Sequence, residues 1–582
     1  MHLKQALLTA FAVSGLSYAN SVNHRAECKC GPTDECWPST AKWAALNNTV
    51  DGRLIKTIPI GSVCHNTTIV DSVEINTFDA EKCAEVQANW HFPQWHELSS
   101  SSIMTPWWSN NSCNPFEPTE SICNMGTYVN YAVNVSTVAH VQAAIAFARQ
   151  HNIRFVIRNT GHDYMGKSTG YGSLAIWTHH VKGMELIANY NTSYYSGPAV
   201  KGYAGTIVNE LYSFTAEHGY LSVGGECPTV GWAGGYTSGG GHSALSSWKG
   251  LAADQTLEFE VILANGDFIT ASRTNNSDLW WALSGGGPGN YAVVWSMTAK
   301  IFPDVHVTSA VITAPQGTIS NDTFWDFISF YHTLVPSYVD AGAYAYAFYN
   351  VGYFQLWPLF VPNKTTEEVN DLVAPLTAKL AELGFNFTSS IDTYPTFKQA
   401  YDASFGAINT GEFQFGGRLI PRSTLLTNGT ALTNTVRHIA EGGAAIIEVG
   451  IAPSEAVGGN PGNSVLPAWR DSVMYIIPAA PWYDAAGSLE KNIAVRKTIT
   501  YDWDEKLRQL APNSGAYMSE ADGDNPKWKE DWYGANYVSL LKIKAKYDKD
   551  KFFYAEKAVG SEYWSVDVDG KMCRAKTPGI NK

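Results

Sequence analysis

The chain is 582 residues long, 45% hydrophobic and 16% charged, which excludes a disordered protein and exceeds what a single core organises, so two or more packed units are expected. Its net charge of −13 is spread without an acidic tail, and lysine and arginine form no long run. That distribution excludes nucleic acid and anionic membrane surfaces as partners.

Residues 1–19 carry Lys4, an apolar stretch over 6–13 and the small-residue ending Ser17-Tyr18-Ala19. This is the pattern of a secretory signal peptide, and the apolar run is too short to span a bilayer. No later stretch is apolar for long enough either, so a soluble, secreted protein is expected. Asn-x-Ser/Thr sequons at Asn47, Asn66, Asn110, Asn134, Asn191, Asn275, Asn321, Asn363, Asn386 and Asn428 agree with export as a glycoprotein.

Of nine cysteines, Cys28, Cys30, Cys36, Cys64, Cys83, Cys113 and Cys123 fall before residue 124. Residues 20–120 therefore read as a disulfide-stapled extension, and Cys573 can tie the C-terminal tail 566–582 back to it. An odd count leaves one thiol over. Cys227, far from the others and between two glycine-rich segments, is the one expected to stay unpaired and exposed.

After Cys123 the pattern becomes regular. Residues 128–133 alternate like a strand, and Ser136 is a candidate cap for a helix whose apolar face is Val138, Val141, Ile145 and Ala148. A strand over 153–158 runs into a tight glycine-bearing turn, and further strands are predicted over 174–178, 220–223 and 257–263, the last entering a hairpin at Asn265-Gly266. From about Pro303 an aromatic strand region over 343–360 is followed by a helix opened by the capping box Thr365 to Glu368 and closed at Gly384, with a kink expected at Pro375. Strands over 444–451 and 473–478 complete an antiparallel sheet covered by helices, a separate second domain.

Three segments are dense in glycine: RNTGHDYMGKSTGYG over 158–172, GGECPTVGWAGGYTSGGGHS over 224–243 and DLWWALSGGGPGNYAVV over 278–294. Glycine at this density in a strand-rich domain places backbone against a large ligand, and the first turn can aim N–H groups at a phosphate. None of the three has the doubly wound dinucleotide fingerprint or a Walker lysine. The adjacent His179 and His180 lack metal-ligand spacing, and no metal is expected.

These motifs resemble the berberine bridge enzyme-like branch of the vanillyl-alcohol oxidase and p-cresol methylhydroxylase superfamily over residues 120–565. The resemblance implies an α+β protein in which a two-part FAD-binding domain, 121–305 and 496–565, encloses a substrate domain at 306–495. It implies FAD bonded through its 8α-methyl to His162 of R-x-x-G-H and through C6 to Cys227 of C-P-T-V-G. Arg158, Asn159, Thr160, Gly161 and Asp163 are then expected around the pyrophosphate, mostly through backbone groups. Val230, Gly231, Gly235, Ser238, Gly239, Gly240 and Gly241 are expected against the cofactor, and Asn536 at the flavin pyrimidine edge.

An alcohol oxidase also needs a group to take the hydroxyl proton. Tyr517 matches the tyrosine of the family's Y-x-N motif, although Ser519 stands where the asparagine is usual; Glu520 is a second candidate base and Tyr475 a partner. Valine at position 230 resembles oxidases, whereas leucine or isoleucine there resembles dehydrogenases. The implied function is a secreted oxidase that takes hydride from an alcohol carbon of a carbohydrate or secondary metabolite and passes electrons to dioxygen. An oxidative cyclase or dehydrogenase, and a carbohydrate-binding glycoprotein without turnover, are the alternatives.

Overall fold

The computed structural model describes residues 28–406, 409 and 411–576; the signal-peptide segment lies outside them. It is an α+β protein whose sheets form two groups. The first group begins with a four-stranded sheet in the order Leu54–Lys56, Tyr131–Asn134, Ser173–Trp177, Arg154–Arg158, the last three running parallel. All five residues of Ser173–Trp177 are buried, as befits a parallel strand covered on both faces.

Beside it stands a six-stranded antiparallel sheet. Its order is Phe268–Ser272, Thr256–Ile262, Val293–Pro303, Ser196–Tyr203, Met184–Asn191, with Tyr220–Ser222 on Val293–Pro303. The expected hairpin at Asn265-Gly266 joins the first two, and Gly266 takes φ +90°. The helix Val138–Gln150 buries Val141, Ile145 and Ala148 as its spacing predicts. Its cap is Thr137 rather than Ser136, because the Thr137 side chain accepts from the His140 N–H at 3.2 Å. The first strand starts at Tyr131 rather than 128, where pairing with Ser173–Trp177 begins.

The second group is an eight-stranded antiparallel sheet running Thr388–Tyr394, Val307–Pro315, Tyr353–Pro362, Tyr344–Asn350, Ala445–Gly450, Ser472–Pro481, with Phe413–Phe415 and Arg418–Pro421 both on the last strand. Helices Asn321–Asp340, Thr366–Glu382 and Arg422–Glu441 cover one face. Thr365 and Glu368 form the expected capping box, and Thr366–Glu382 continues through Pro375 as one helix. The two-residue period of Ala445–Gly450 sends Ile446 and Glu448 toward the helices and Ile447 and Val449 to the opposite face. Behind the sheet Glu448 is held by His332 at 3.1 Å and by the Tyr349 hydroxyl at 3.0 Å.

Ile499, Trp503, Leu507 and Ala511 pack in the helix-side core of this sheet. Ala516, Tyr517 and Met518 are the next to join the other core, which also takes the inward faces of Tyr344, Val449 and Tyr475. The segment after 495 thus serves the large sheet through Ala511 before it returns to the first group.

Disulfides Cys30–Cys36, Cys64–Cys83 and Cys113–Cys123 staple the N-terminal region, and Cys28–Cys573 ties it to the C-terminal strand Met572–Arg574. Cys227 is the one cysteine without a disulfide. Among the described residues no helix is long and apolar enough to cross a membrane.

Closing a loop that spans nearly the whole chain, Cys28–Cys573 is expected to contribute about 2–4 kcal/mol. Replacing both cysteines by serine should lower the thermal unfolding midpoint in scanning calorimetry; identical midpoints would show that the bond does not hold the termini.

Candidate functional site

Where the two groups meet, a cavity of about 650 Å³ opens, within the size range of cofactor and small-molecule sites. One wall is the turn that follows Arg154–Arg158. Gly161 takes φ +76° there, and a side chain at this position would strike the Arg158 guanidinium. Asp163 closes the turn by accepting from the Met165 N–H at 2.8 Å, the Ser168 N–H at 2.7 Å and the Ser168 hydroxyl at 2.8 Å. Among the described residues the N–H groups of Thr160, Gly161, Asp163 and Tyr164 have no protein acceptor, and all four residues line the cavity. Unpaired donors converging on a cavity fit a ligand that carries phosphate.

His162 Nε2 lies 3.2 Å from Cys227 Sγ at this end. Burial drives the His162 imidazole down to about 4, so at neutral pH it is uncharged and keeps a lone pair. Cys227 is buried rather than exposed. Its loop folds onto the helix Val208–Glu217, where the Val208 and Asn209 N–H groups donate to the carbonyls of Val230 and Pro228 at 3.0 and 3.1 Å. Burial pushes the thiol up, so Cys227 rests as a neutral thiol in hydrogen-bond reach of a neutral imidazole.

The opposite side holds two carboxylates and a histidine. His242 Nε2 is 3.0 Å from Glu520 and His242 Nδ1 is 3.3 Å from Glu226. Burial opposes a charge on His242, but Glu520 and Glu226 together raise it to about 10, making it an imidazolium at neutral pH. Glu226 also accepts from the Tyr344 hydroxyl, and its carbonyl accepts from the Tyr401 hydroxyl at 2.7 Å. Glu520, 30% exposed at its side chain, is the more open of the two carboxylates.

The large sheet supplies the last wall through Tyr346, Phe348, Phe415, Ile447, Val449 and Ile477. The third glycine-rich segment faces it with Gly287 to Ala292. Gly287 takes φ +104° against the Tyr533 hydroxyl, where a side chain would be strained.

The expected site residues separate into two sets. Asn159, Thr160, Gly161, His162, Asp163, Cys227, Val230, Gly231, Gly235, Ser238, Tyr517 and Glu520 line the cavity. Arg158, Gly239, Gly240, Gly241, Tyr475 and Asn536 do not. The Arg158 side chain turns away and donates to the carbonyls of His96 and Ser99 at 3.0 and 2.7 Å, clasping the N-terminal extension. Gly241 is packed on Tyr236 and Ala252, and Gly239 faces Ser519. Tyr475 donates to the Glu520 carbonyl at 2.6 Å and so supports that residue from behind. The Asn536 amide donates to the carbonyls of Ser464 and Val465 at 3.1 and 3.2 Å. Tyr517 lies edge-on to His242 with ring centroids 5.3 Å apart, but burial and then the Glu520 charge raise its phenol above the ordinary value, which opposes a phenolate base.

Sequence reasoning missed His242 and Glu226. Glu226 directly precedes Cys227 and His242 ends the second glycine-rich segment, but 278 positions separate His242 from Glu520. Among the described residues no group of three or more His, Cys, Asp and Glu side chains is placed to hold a metal.

Comparison with known proteins agrees with this geometry. Residues 129–272 match the family described as FAD binding domain, and residues 516–560 the family described as berberine and berberine like. The FAD-linked oxidoreductase patO of Aspergillus clavatus is 42% identical over 94% of this chain and 95% of its own. The crystal structure of the VAO-type flavoprotein MtVAO615 from Myceliophthora thermophila superposes with a TM-score of 0.89 at 36% identity, covering 94% of this chain and 100% of that one. A glucooligosaccharide oxidase from Acremonium strictum, described with a 6-S-cysteinyl, 8α-N1-histidyl FAD, shares the fold with a TM-score of 0.62 at 16% identity over 74% of this chain and 91% of that one. The chain belongs to the vanillyl-alcohol oxidase and berberine bridge enzyme-like family, and it is an FAD-linked oxidoreductase.

The His242 cluster has a pH signature. Its folded pKa of about 10 lies above an unfolded value of about 6.5. The charge therefore stabilises the fold fully below about pH 6.5, and that contribution is lost as pH rises toward 10. The melting-temperature gap between wild type and His242→Gln should narrow across this window. A constant gap would mean that His242 is not charged in the native protein.

Proposed function

We propose that this protein is a secreted oxidase that binds FAD through both His162 and Cys227 and oxidises an apolar alcohol, releasing hydrogen peroxide. The observation that carries the reading is the 3.2 Å approach of His162 Nε2 to Cys227 Sγ in a cavity also lined by Glu520 and by residues whose N–H groups have no protein acceptor. The glucooligosaccharide oxidase of Acremonium strictum, with its cysteinyl and histidyl FAD, supports it. FAD bound here supplies the hydride acceptor and the path of two electrons to dioxygen.

Glu520 is the base in this reading. It is a carboxylate on the cavity wall, and the imidazolium of His242 holds one of its oxygens at 3.0 Å. As hydride leaves the carbinol carbon, Glu520 takes the hydroxyl proton and the carbinol becomes a carbonyl. Tyr517 shapes the site beside it as a neutral phenol. Val230, half-buried on the cavity wall, leaves about one methylene more room for dioxygen than leucine would.

The sheet wall of Tyr346, Phe348, Phe415, Ile447, Val449 and Ile477, with Asn409 and Glu412 as the polar groups beside Phe413, favours an alcohol with a large apolar or aromatic part over an oligosaccharide, whose many hydroxyls need more polar partners. Residues 121–305 with the C-terminal return form the cofactor domain in this reading, and 306–495 with the segment through Ala511 the substrate domain. Secretion accords with the leader at 1–19, with four disulfides and with sequon asparagines that are all exposed or half-buried.

Acid-denatured protein should keep a yellow chromophore and the mass of FAD. His162→Ala and Cys227→Ala should each leave one attachment. Complete release of flavin from the wild type on denaturation removes the double-bond reading.

With an alcohol found by peroxide-coupled screening, Glu520→Gln should slow flavin reduction roughly 100-fold or more, and Tyr517→Phe less than about 10-fold, in stopped-flow measurements. The reverse order would return the base to Tyr517. Reduction without peroxide would identify a dehydrogenase.

A further inference from the structure

Lys167 ends the same turn that carries His162, and it is the one lysine, with no arginine, among the described residues that line the cavity. Its ammonium donates to the Glu556 carbonyl at 2.7 Å and lies 5.5 Å from the centre of the Trp532 ring. Among the described residues no carboxylate lies within 4 Å of it. The two nearest in the chain are engaged elsewhere: Asp163 by Met165 and Ser168, and Glu556 by the Tyr554 hydroxyl at 2.7 Å and Lys557 at 3.6 Å. A sequestered ammonium with no carboxylate in contact is costly, and the more distant charges of Asp163 and Glu556 offset its burial only in part. Burial accordingly pulls Lys167 down to about 8.

The unpaired N–H groups of Thr160, Gly161, Asp163 and Tyr164 belong to the same turn and line the same cavity as Lys167, a set of donors and one positive charge suited to phosphate. We propose that Lys167 is the charged clamp for the pyrophosphate of FAD, fixing the dinucleotide before and after its ring is attached at His162. This rests on the reading of the cavity as an FAD site. It adds a residue that acts on the phosphates and not on the ring, and so explains how the chain can hold FAD while the bonds to His162 and Cys227 form.

The test uses the full-length His162→Ala/Cys227→Ala protein, in which flavin is held without covalent bonds, alone and with Lys167→Met or Lys167→Arg. Dissociation constants for FAD, ADP and riboflavin are measured by calorimetry and flavin fluorescence. Lys167→Met should weaken FAD and ADP alike by about 10- to 100-fold, the scale of a lost charged hydrogen bond, and leave riboflavin unchanged. Lys167→Arg should keep most of the ADP affinity, which also shows that the turn still folds. Unchanged FAD and ADP binding in Lys167→Met overturns the inference. So does a loss for riboflavin equal to that for FAD, because Lys167 would then act on the ring. If the parent double variant binds FAD but not ADP, the flavin reading stands and the phosphate clamp fails; if it binds neither, both fail.

Discussion

The buried imidazolium of His242, held between Glu226 and Glu520, is the interaction on which the site depends. Two carboxylates at one histidine repel each other. The charge on His242 removes that conflict and binds the second glycine-rich segment to the C-terminal return. Tyr344 and Tyr475 from the large sheet, and Tyr401 from the short helix Phe397–Ser404, then fasten the two glutamates from the other side. One charged group thus unites the three chain segments that form the cavity.

At the other end of the cavity the logic is the opposite. His162 and Cys227 are kept neutral by burial, and the turn that carries His162 leaves its N–H donors unsatisfied. Such donors are open to water or to a ligand in the cavity. Charged groups paired with one another mark the His242 end, and N–H groups without a protein acceptor mark the His162 end.

The N-terminal region takes part in this architecture. Arg158, expected at the phosphates, holds the carbonyls of His96 and Ser99 instead. Its guanidinium also fills the space beneath Gly161. The extension therefore braces the His162 turn from behind, and Cys28–Cys573 links that brace to the C-terminal strand.

Local chemistry made much of the chain legible. The capping box at Thr365 and Glu368, the apolar stripe of Val138–Gln150 and the Asn265-Gly266 hairpin follow from rules acting over a few residues, and the structure has all three. The glycine-rich motifs likewise marked His162, Cys227 and the cofactor, because glycine density and motif order are sequence properties. Contacts between distant segments could not be read in this way. His242 meets Glu520 across 278 positions, and neither residue type nor spacing reveals which carboxylate a histidine will face. The partners of Asn536 and Tyr475 were hidden for the same reason: Ser464, Val465 and Glu520 are their neighbours only in the folded chain. The sequence determined which residues have the chemistry to bind and oxidise; tertiary packing decided which of them are buried, charged and facing the cavity, because burial and charge pairing are properties of the space around a side chain and not of its place in the chain.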